Sequence, residues 1–184
     1  MHALGLVVAF DSPRDIDPRG WRLGLNTRLP DDVRVQSAEP CEVGYNPRYD
    51  ALRKHYRYLL HDGPAVNPLL RHRAWHLGDS PALDWAALRD AASRLQGTHD
   101  FRAFRSSDDD RPNSTRTLHR LELVSGHAGD PNLHALEVEG DAFMKNMVRI
   151  LAGTLVEVAR GRLQAGDMDT LLGPDAERSR SGDM

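Results

Sequence analysis

Apolar residues along the chain recur with two different periods, and the switches between them mark the predicted elements. Residues 5–10 form a short apolar run with Val7 and Val8, long enough for a buried strand. Asp17-Pro18 then opens a helical segment, since aspartate suits an N-cap and proline the first turn. Trp21, Leu25 and Leu29 follow at helical spacing, and Pro30 closes the segment. Residues 32–38 set Val33 and Val35 among charged neighbours, which predicts a half-buried strand. Residues 45–49 are a turn-rich aromatic patch. Over 52–60, Leu52, Tyr56, Tyr58 and Leu60 keep a period of two, so their side chains share one face of a strand.

Residues 63–79 are rich in Pro, Gly, His and Arg and read as a domain junction. Residues 84–97 predict an amphipathic helix: Asp84 caps it, Trp85, Leu88, Ala92 and Leu95 recur at three and four, and Gly97 ends it. A polar, acidic loop spans 106–114. Residues 117–124 and 133–139 alternate on either side of a Gly/Asp/Pro turn and predict a hairpin. The strongest helical pattern covers 141–160, with Asp141 as cap and Phe143, Met147, Leu151, Leu155 and Val158 as one apolar stripe. A shorter helix is expected at 167–172, and the tail 173–184 is polar and charged. Strands interspersed with helices make the class α+β.

Composition narrows this little. A chain of 184 residues holds one domain or two small ones, and 40% hydrophobic residues suffice for a core. The longest apolar stretch, 147–158, is interrupted by Arg149, Thr154 and Glu157, so no segment is expected to span a membrane. The N-terminus lacks the basic region and cleavage site of a signal peptide. The single cysteine, Cys41, excludes an internal disulfide and fits a reducing, cytoplasmic setting. The net charge of −3 argues mildly against nucleic acid. Nearly all cations are arginine, Lys54 and Lys145 excepted, and the arginine fork suits phosphate. GC-rich codon usage gives the same bias, so charge decides nothing.

No GxGxxG, P-loop or GxSxG motif is present. His72 and His76 sit four apart, but without HExxH and amid proline and glycine they argue against a metal site. Asp108, Asp109 and Asp110 read as a solvated loop rather than a divalent-ion site. Three segments stand out. Residues 53–58 interleave Arg53, Lys54, His55 and Arg57 with Tyr56 and Tyr58, a mix that suits stacked bases and phosphates. The pattern by itself fits better a core strand with its tyrosines inward and its charges outward. In residues 100–105, Phe101 and Phe104 either line a pocket or staple a helix end to the core. Arg149 lies among Met147, Val148, Ile150 and Leu151; it is either buried against an anion or reaches the surface from the polar side of its helix.

Taken in order, these segments resemble the tRNA pseudouridine synthase A family. HALGLVVAFD at 2–11 is similar to the strand after the family's aspartate motif, and GWRLGLNTRLPDDVRV at 20–35 to the next helix and strand. YNPRYDALRKHYRYLL at 45–60 is similar to the strand carrying the base-stacking tyrosine. LQGTHDFRAFRS, TRTLHRLEL and GDAFMKNMVRILAGTLVEVARGR follow in family order, so the resemblance covers residues 2–172. It implies a mostly antiparallel sheet flanked by helices, in two ferredoxin-like halves with the N-terminal one incomplete. The expected division is 1–62 for the remainder of the catalytic half, 63–172 for the C-terminal half, and 173–184 for the tail.

The resemblance further implies isomerisation of uridine to pseudouridine in the tRNA anticodon stem-loop, at positions 38–40, by a cytoplasmic homodimer with no cofactor, metal or membrane partner. By the same likeness Tyr56 packs against the target base, and Arg149 pairs with the catalytic aspartate. Arg48 matches a further arginine, in a looser copy of its block. Detaching uracil and rejoining it through carbon calls for a carboxylate and an aromatic platform for the extruded base. The family's aspartate lies in an RTDAGVHA-like block, whereas this chain starts at Met1-His2-Ala3. Met1 in place of valine is what a GUG codon read as a start would produce. The nucleophile is therefore expected before Met1, and the closing GLYLV-like strand is expected beyond Met184. An alternative is a catalytically inactive RNA-binding remnant, or a dimerisation partner of an intact homologue.

Overall fold

The hairpin expected in the second half forms and supplies the centre of a sheet. A computed structural model describes residues 2–78, 82–173 and 175–176. Strands β4 (Thr115–Val124) and β5 (Leu133–Gly140) run antiparallel. On the other side of β5 lies β1 (Lys54–His61), also antiparallel, from Lys54 opposite Gly140 to His61 opposite Leu133. The short β2 (Ala74–His76) adds parallel to β1, and β3 (Gly97–Asp100) antiparallel to β4. The order is β2-β1-β5-β4-β3, a mostly antiparallel sheet flanked by helices, and the class is α+β as predicted.

Contacts divide the chain into residues 2–51 and 52–184, so β1 belongs with the segment expected to form the C-terminal half. Residues 63–79, expected as a junction, contribute β2 instead: Leu60 pairs with Trp75 across that edge.

In the second unit, α2 (Trp85–Arg94) starts where Asp84 accepts the Ala87 N–H at 2.9 Å. It packs beside α3 (Met147–Ala159) over one sheet face, and the short α4 (Asp167–Leu171) follows. Leu60, Leu121, Leu136 and Val138 meet Leu88, Leu151 and Leu155 there, all buried. Each such side chain contributes about 1.5–3 kcal/mol. Phe101 and Phe104 are fully buried in the same core, so the stapling role holds and not the pocket.

The opposite face of the sheet is ionic. Register puts Arg57 directly across from Glu137 and His55 across from Glu139. The Glu137 carboxylate takes Arg57 Nε at 2.6 Å and His55 Nε2 at 2.5 Å, while Arg53 pairs with Glu139 at 2.9 Å. Burial raises the Glu137 pKa, but the bonds from Arg57 and His55 outweigh it and leave the group below its ordinary range. Tyrosines inward and charges outward is thus the arrangement of β1.

The helix expected over 141–160 is shorter at its start. Asp141 does not cap it; its carboxylate takes His119 Nε2 at 2.5 Å. Asn146 at φ +59° breaks the helical path, and α3 begins at Met147. The preceding turn is held by the 106–114 loop: the Lys145 N–H reaches Asp109 at 2.9 Å, and the Ser106 N–H reaches the Lys145 carbonyl at 3.1 Å.

In the first unit, α1 (Pro18–Asn26) begins as predicted, with Asp17 accepting the Arg19 N–H at 2.8 Å. Phe10 packs edge-on against Trp21, centroids 5.0 Å apart. The strands expected at 5–10 and 32–38 do not form. Alternation supplies a face but not the ladder partner a strand needs, and Leu4, Leu6, Val7 and Val8 are exposed. Val35 is bound instead by the Asn26 side-chain amide, which donates to its carbonyl at 3.0 Å and accepts its N–H at 2.8 Å. No described residue of 2–51 is buried. Most of the tail 173–184 lies outside the described residues.

Candidate functional site

Gly140, the last residue of β5, sits opposite Lys54 on one side and Leu118 on the other. A Cβ there would lie 2.7 Å from the Thr117 carbonyl and 3.2 Å from Phe143 Cζ. The missing side chain is what lets the turn after β5 fold back and bring Phe143 against the sheet. Phe143 meets Tyr56 of β1 edge-on, with centroids 5.0 Å apart and planes at 83°. That T-shaped contact fixes the orientation of the Tyr56 ring. Both rings are only half-buried, so each keeps part of its surface toward solvent.

Two residues along the same strand face, Tyr58 packs against the core cluster, as Tyr56, Phe143 and Val148 each do. Burial pushes its phenol above the ordinary tyrosine range, and the nearby Arg149 guanidinium opposes that shift. Arg149 stands in the first turn of α3, because the helix starts at Met147. It is exposed. The alternatives for Arg149 resolve toward the surface: Met147 and Ile150 turn inward while Arg149 points away from the core.

Of the three predicted site residues, Tyr56 stands on β1, and Arg149 stands on α3, near enough to Tyr58 for its charge to act on that phenol. The third, Arg48, belongs to the first unit. Its N–H is taken by Asn46 Oδ1 at 3.0 Å, and its guanidinium lies 5.8 Å from the Tyr49 ring centroid. Phe143 and Tyr58 were legible only as core positions. Their signal in the sequence is Gly140 three residues before Phe143, and the period-two placement of Tyr58 beside Tyr56.

The remaining candidates acquire ordinary roles. His76 lies on β2, not on a helix face with His72, and its Nε2 is 2.8 Å from the Gly63 carbonyl oxygen. Asp108 pairs with Lys145, and Asp109 with Arg111. The Arg111 and Lys145 hydrogen bonds hold the Asp109 carboxyl far below the usual carboxylate range. Among the described residues, no helix is long and apolar enough to cross a membrane.

A half-exposed tyrosine braced by phenylalanine offers a platform to a planar ring, and an exposed arginine at a helix start offers a cation to an anion. A family described as tRNA pseudouridine synthase matches residues 91–184. The chain is 42% identical to tRNA pseudouridine synthase A of Geobacter sulfurreducens over 163 residues, which cover 89% of this chain and 64% of that protein. It is 39% identical to the protein of that name from Geobacter sp. strain M21, covering 99% of this chain and 71% of the relative. For Acetivibrio thermocellus the figures are 36%, 99% and 72%. The chain thus spans about two thirds of the length of these relatives, with as little as 64% for the first. A match over more than half of the chain, and relatives alike along nearly all of it, make this chain a member of the tRNA pseudouridine synthase family.

Proposed function

We propose that this chain carries the base-holding part of an enzyme that isomerises uridine to pseudouridine in the anticodon stem-loop of tRNA. The target nucleotide leaves the stack, which costs a few kcal/mol, and its uracil lies against Tyr56, where stacking returns about 1–3 kcal/mol. The bond from N1 to C1′ of the ribose breaks, a bond from C5 to C1′ forms, the C5 hydrogen passes to water as a proton, and the freed N1 takes up a proton. A carboxylate is needed to promote the detachment, and its place is beside Arg149, whose charge favours the ionised form. By the family likeness, that carboxylate is the aspartate of the RTDAG-like block whose continuation His2-Ala3 matches. Arg48 serves the RNA backbone in this reading, the working form is a homodimer, and the setting is the cytoplasm.

The observation that supports the reading is the half-exposed Tyr56 ring braced by Phe143, on the strand face that also carries Tyr58 near the Arg149 charge. The test is tritium release from tRNA labelled at C5 of uridine, catalysed by the protein that contains this chain. Tyr56→Ala should reduce release at least 100-fold, since the extruded base loses its platform. Equal activity of Tyr56→Ala and the unaltered protein would remove the base-platform assignment. If the protein binds tRNA without tritium release, it is instead an RNA-binding remnant.

A further inference from the structure

The polar loop of residues 106–114 buries a carboxylate. Asp109 has a side chain only 3% exposed, between the exposed Asp108 and Asp110. Taking a carboxylate out of water is costly unless donors meet it. Here Oδ1 accepts Arg111 Nε at 2.8 Å, while Oδ2 accepts Arg111 Nη2 and the Lys145 backbone N–H, the latter at 2.9 Å. Arg111 belongs to the same loop; the Lys145 bond is the one that ties Asp109 to a distant segment, 36 residues on.

The loop grips Lys145 at three points. Beside the Asp109 bond, the Lys145 carbonyl accepts the Ser106 N–H at 3.1 Å, and its ammonium pairs with Asp108, which also takes the Ser106 hydroxyl. The segment held this way carries two residues of the proposed site. Phe143, two residues earlier, meets the Tyr56 ring edge-on. Asn146, at φ +59°, turns the chain, and its carbonyl accepts the Arg149 N–H at 2.9 Å as the first turn of α3 closes. A shift of Lys145 is therefore passed along the backbone to Phe143 and Arg149. Tyr56 is held separately, by the ladder between β1 and β5.

We propose that Asp109 is a positioning residue for the isomerisation: its bond to the Lys145 N–H sets where Phe143 and Arg149 stand relative to the base on Tyr56. This rests on the function proposed above and extends it from the residues that meet the uridine to the loop that aligns them. Asp109 itself touches no reacting atom. Its effect is on rate, because a misplacement of about 1 Å at a reacting centre can cost about 100-fold.

The test is steady-state tritium release by the protein that contains this chain, with the tRNA concentration varied. Each variant is assayed at a temperature where circular dichroism shows it folded. Asp109→Ala and Asp109→Leu both remove the acceptor, the second without emptying its volume. Each should lower kcat about tenfold or more and leave KM for tRNA within about twofold. Asp109→Asn keeps an oxygen for the Lys145 N–H and should hold kcat within about threefold of the unaltered protein, even where it lowers stability. A general loss of stability does not produce that split. Phe143→Leu should also lower kcat. Combined with Asp109→Leu, the loss should match the larger single loss and not the product of the two, because both act through one turn.

Four results would each overturn the positioning role while Tyr56→Ala still abolishes release: unchanged kcat in folded Asp109→Leu, a rise in KM alone, a loss in Asp109→Asn as large as in Asp109→Leu, or losses that multiply with Phe143→Leu. If Tyr56→Ala keeps full activity, or the unaltered protein releases no tritium, the function proposed above fails and the role of Asp109 falls with it.

Discussion

Gly140 shows how much one missing methyl group decides. A side chain there would have to displace the Thr117 carbonyl of a neighbouring strand, and it would press on the Phe143 ring. Gly140→Ala should therefore destabilise the protein by about 1–3 kcal/mol, measured by urea unfolding, and should disturb the Tyr56 ring. A second residue-scale prediction concerns Asp109, whose pKa is depressed chiefly by its hydrogen bond from Arg111 and also by the Lys145 N–H. A depressed carboxylate contributes stability that is fully present above its unfolded pKa of about 3.9 and is lost as pH falls through the lower folded value. The stability difference between the unaltered chain and Asp109→Asn should be flat from pH 7 down to about 4 and shrink below that. A difference that grew on acidification would refute the assignment.

At the scale of elements, α3 depends on how it is started. Asn146 occupies the left-handed region, and that conformation sets the entry of Arg149 into the first helical turn. Asn146→Ala should cost about 1–2 kcal/mol in a thermal or denaturant melt, because alanine resists that conformation more than asparagine does. Asn146→Gly should cost little. Helix starts were legible in the sequence where the cap is a local side chain: Asp17 and Asp84 were both placed correctly. Asp141 was misplaced because its carboxylate goes to His119, a residue on another strand that no local pattern reveals. The β4–β5 hairpin was legible because its alternation is strong and the connection over residues 125–132 is rich in turn-forming Gly, Asp and Pro. The strand of residues 5–10 was predicted on hydrophobicity alone, and a strand exists only where another backbone answers its hydrogen bonds.

For the whole molecule, the two units differ in kind. Every buried residue of the core cluster lies in residues 52–184, together with the complete sheet, Tyr56 and Arg149. A fragment of residues 52–184 should therefore retain a cooperative thermal transition and its far-UV circular dichroism on its own. A fragment of residues 2–51, none of whose described residues is buried, should show no cooperative transition. Loss of the transition in the longer fragment would mean that the first unit completes its core.

Sequence alone determined the class of fold, the central hairpin, the capped starts of α1 and α2, and the family likeness that singled out Tyr56 and Arg149. Each of these rests on local chemistry or on residue order. Tertiary structure decided that Arg149 stands exposed in the first turn of its helix and that Phe143 braces Tyr56. These depend on the register of strands far apart in the chain and on which side of a turn the core claims, and neither is written in any short stretch of residues.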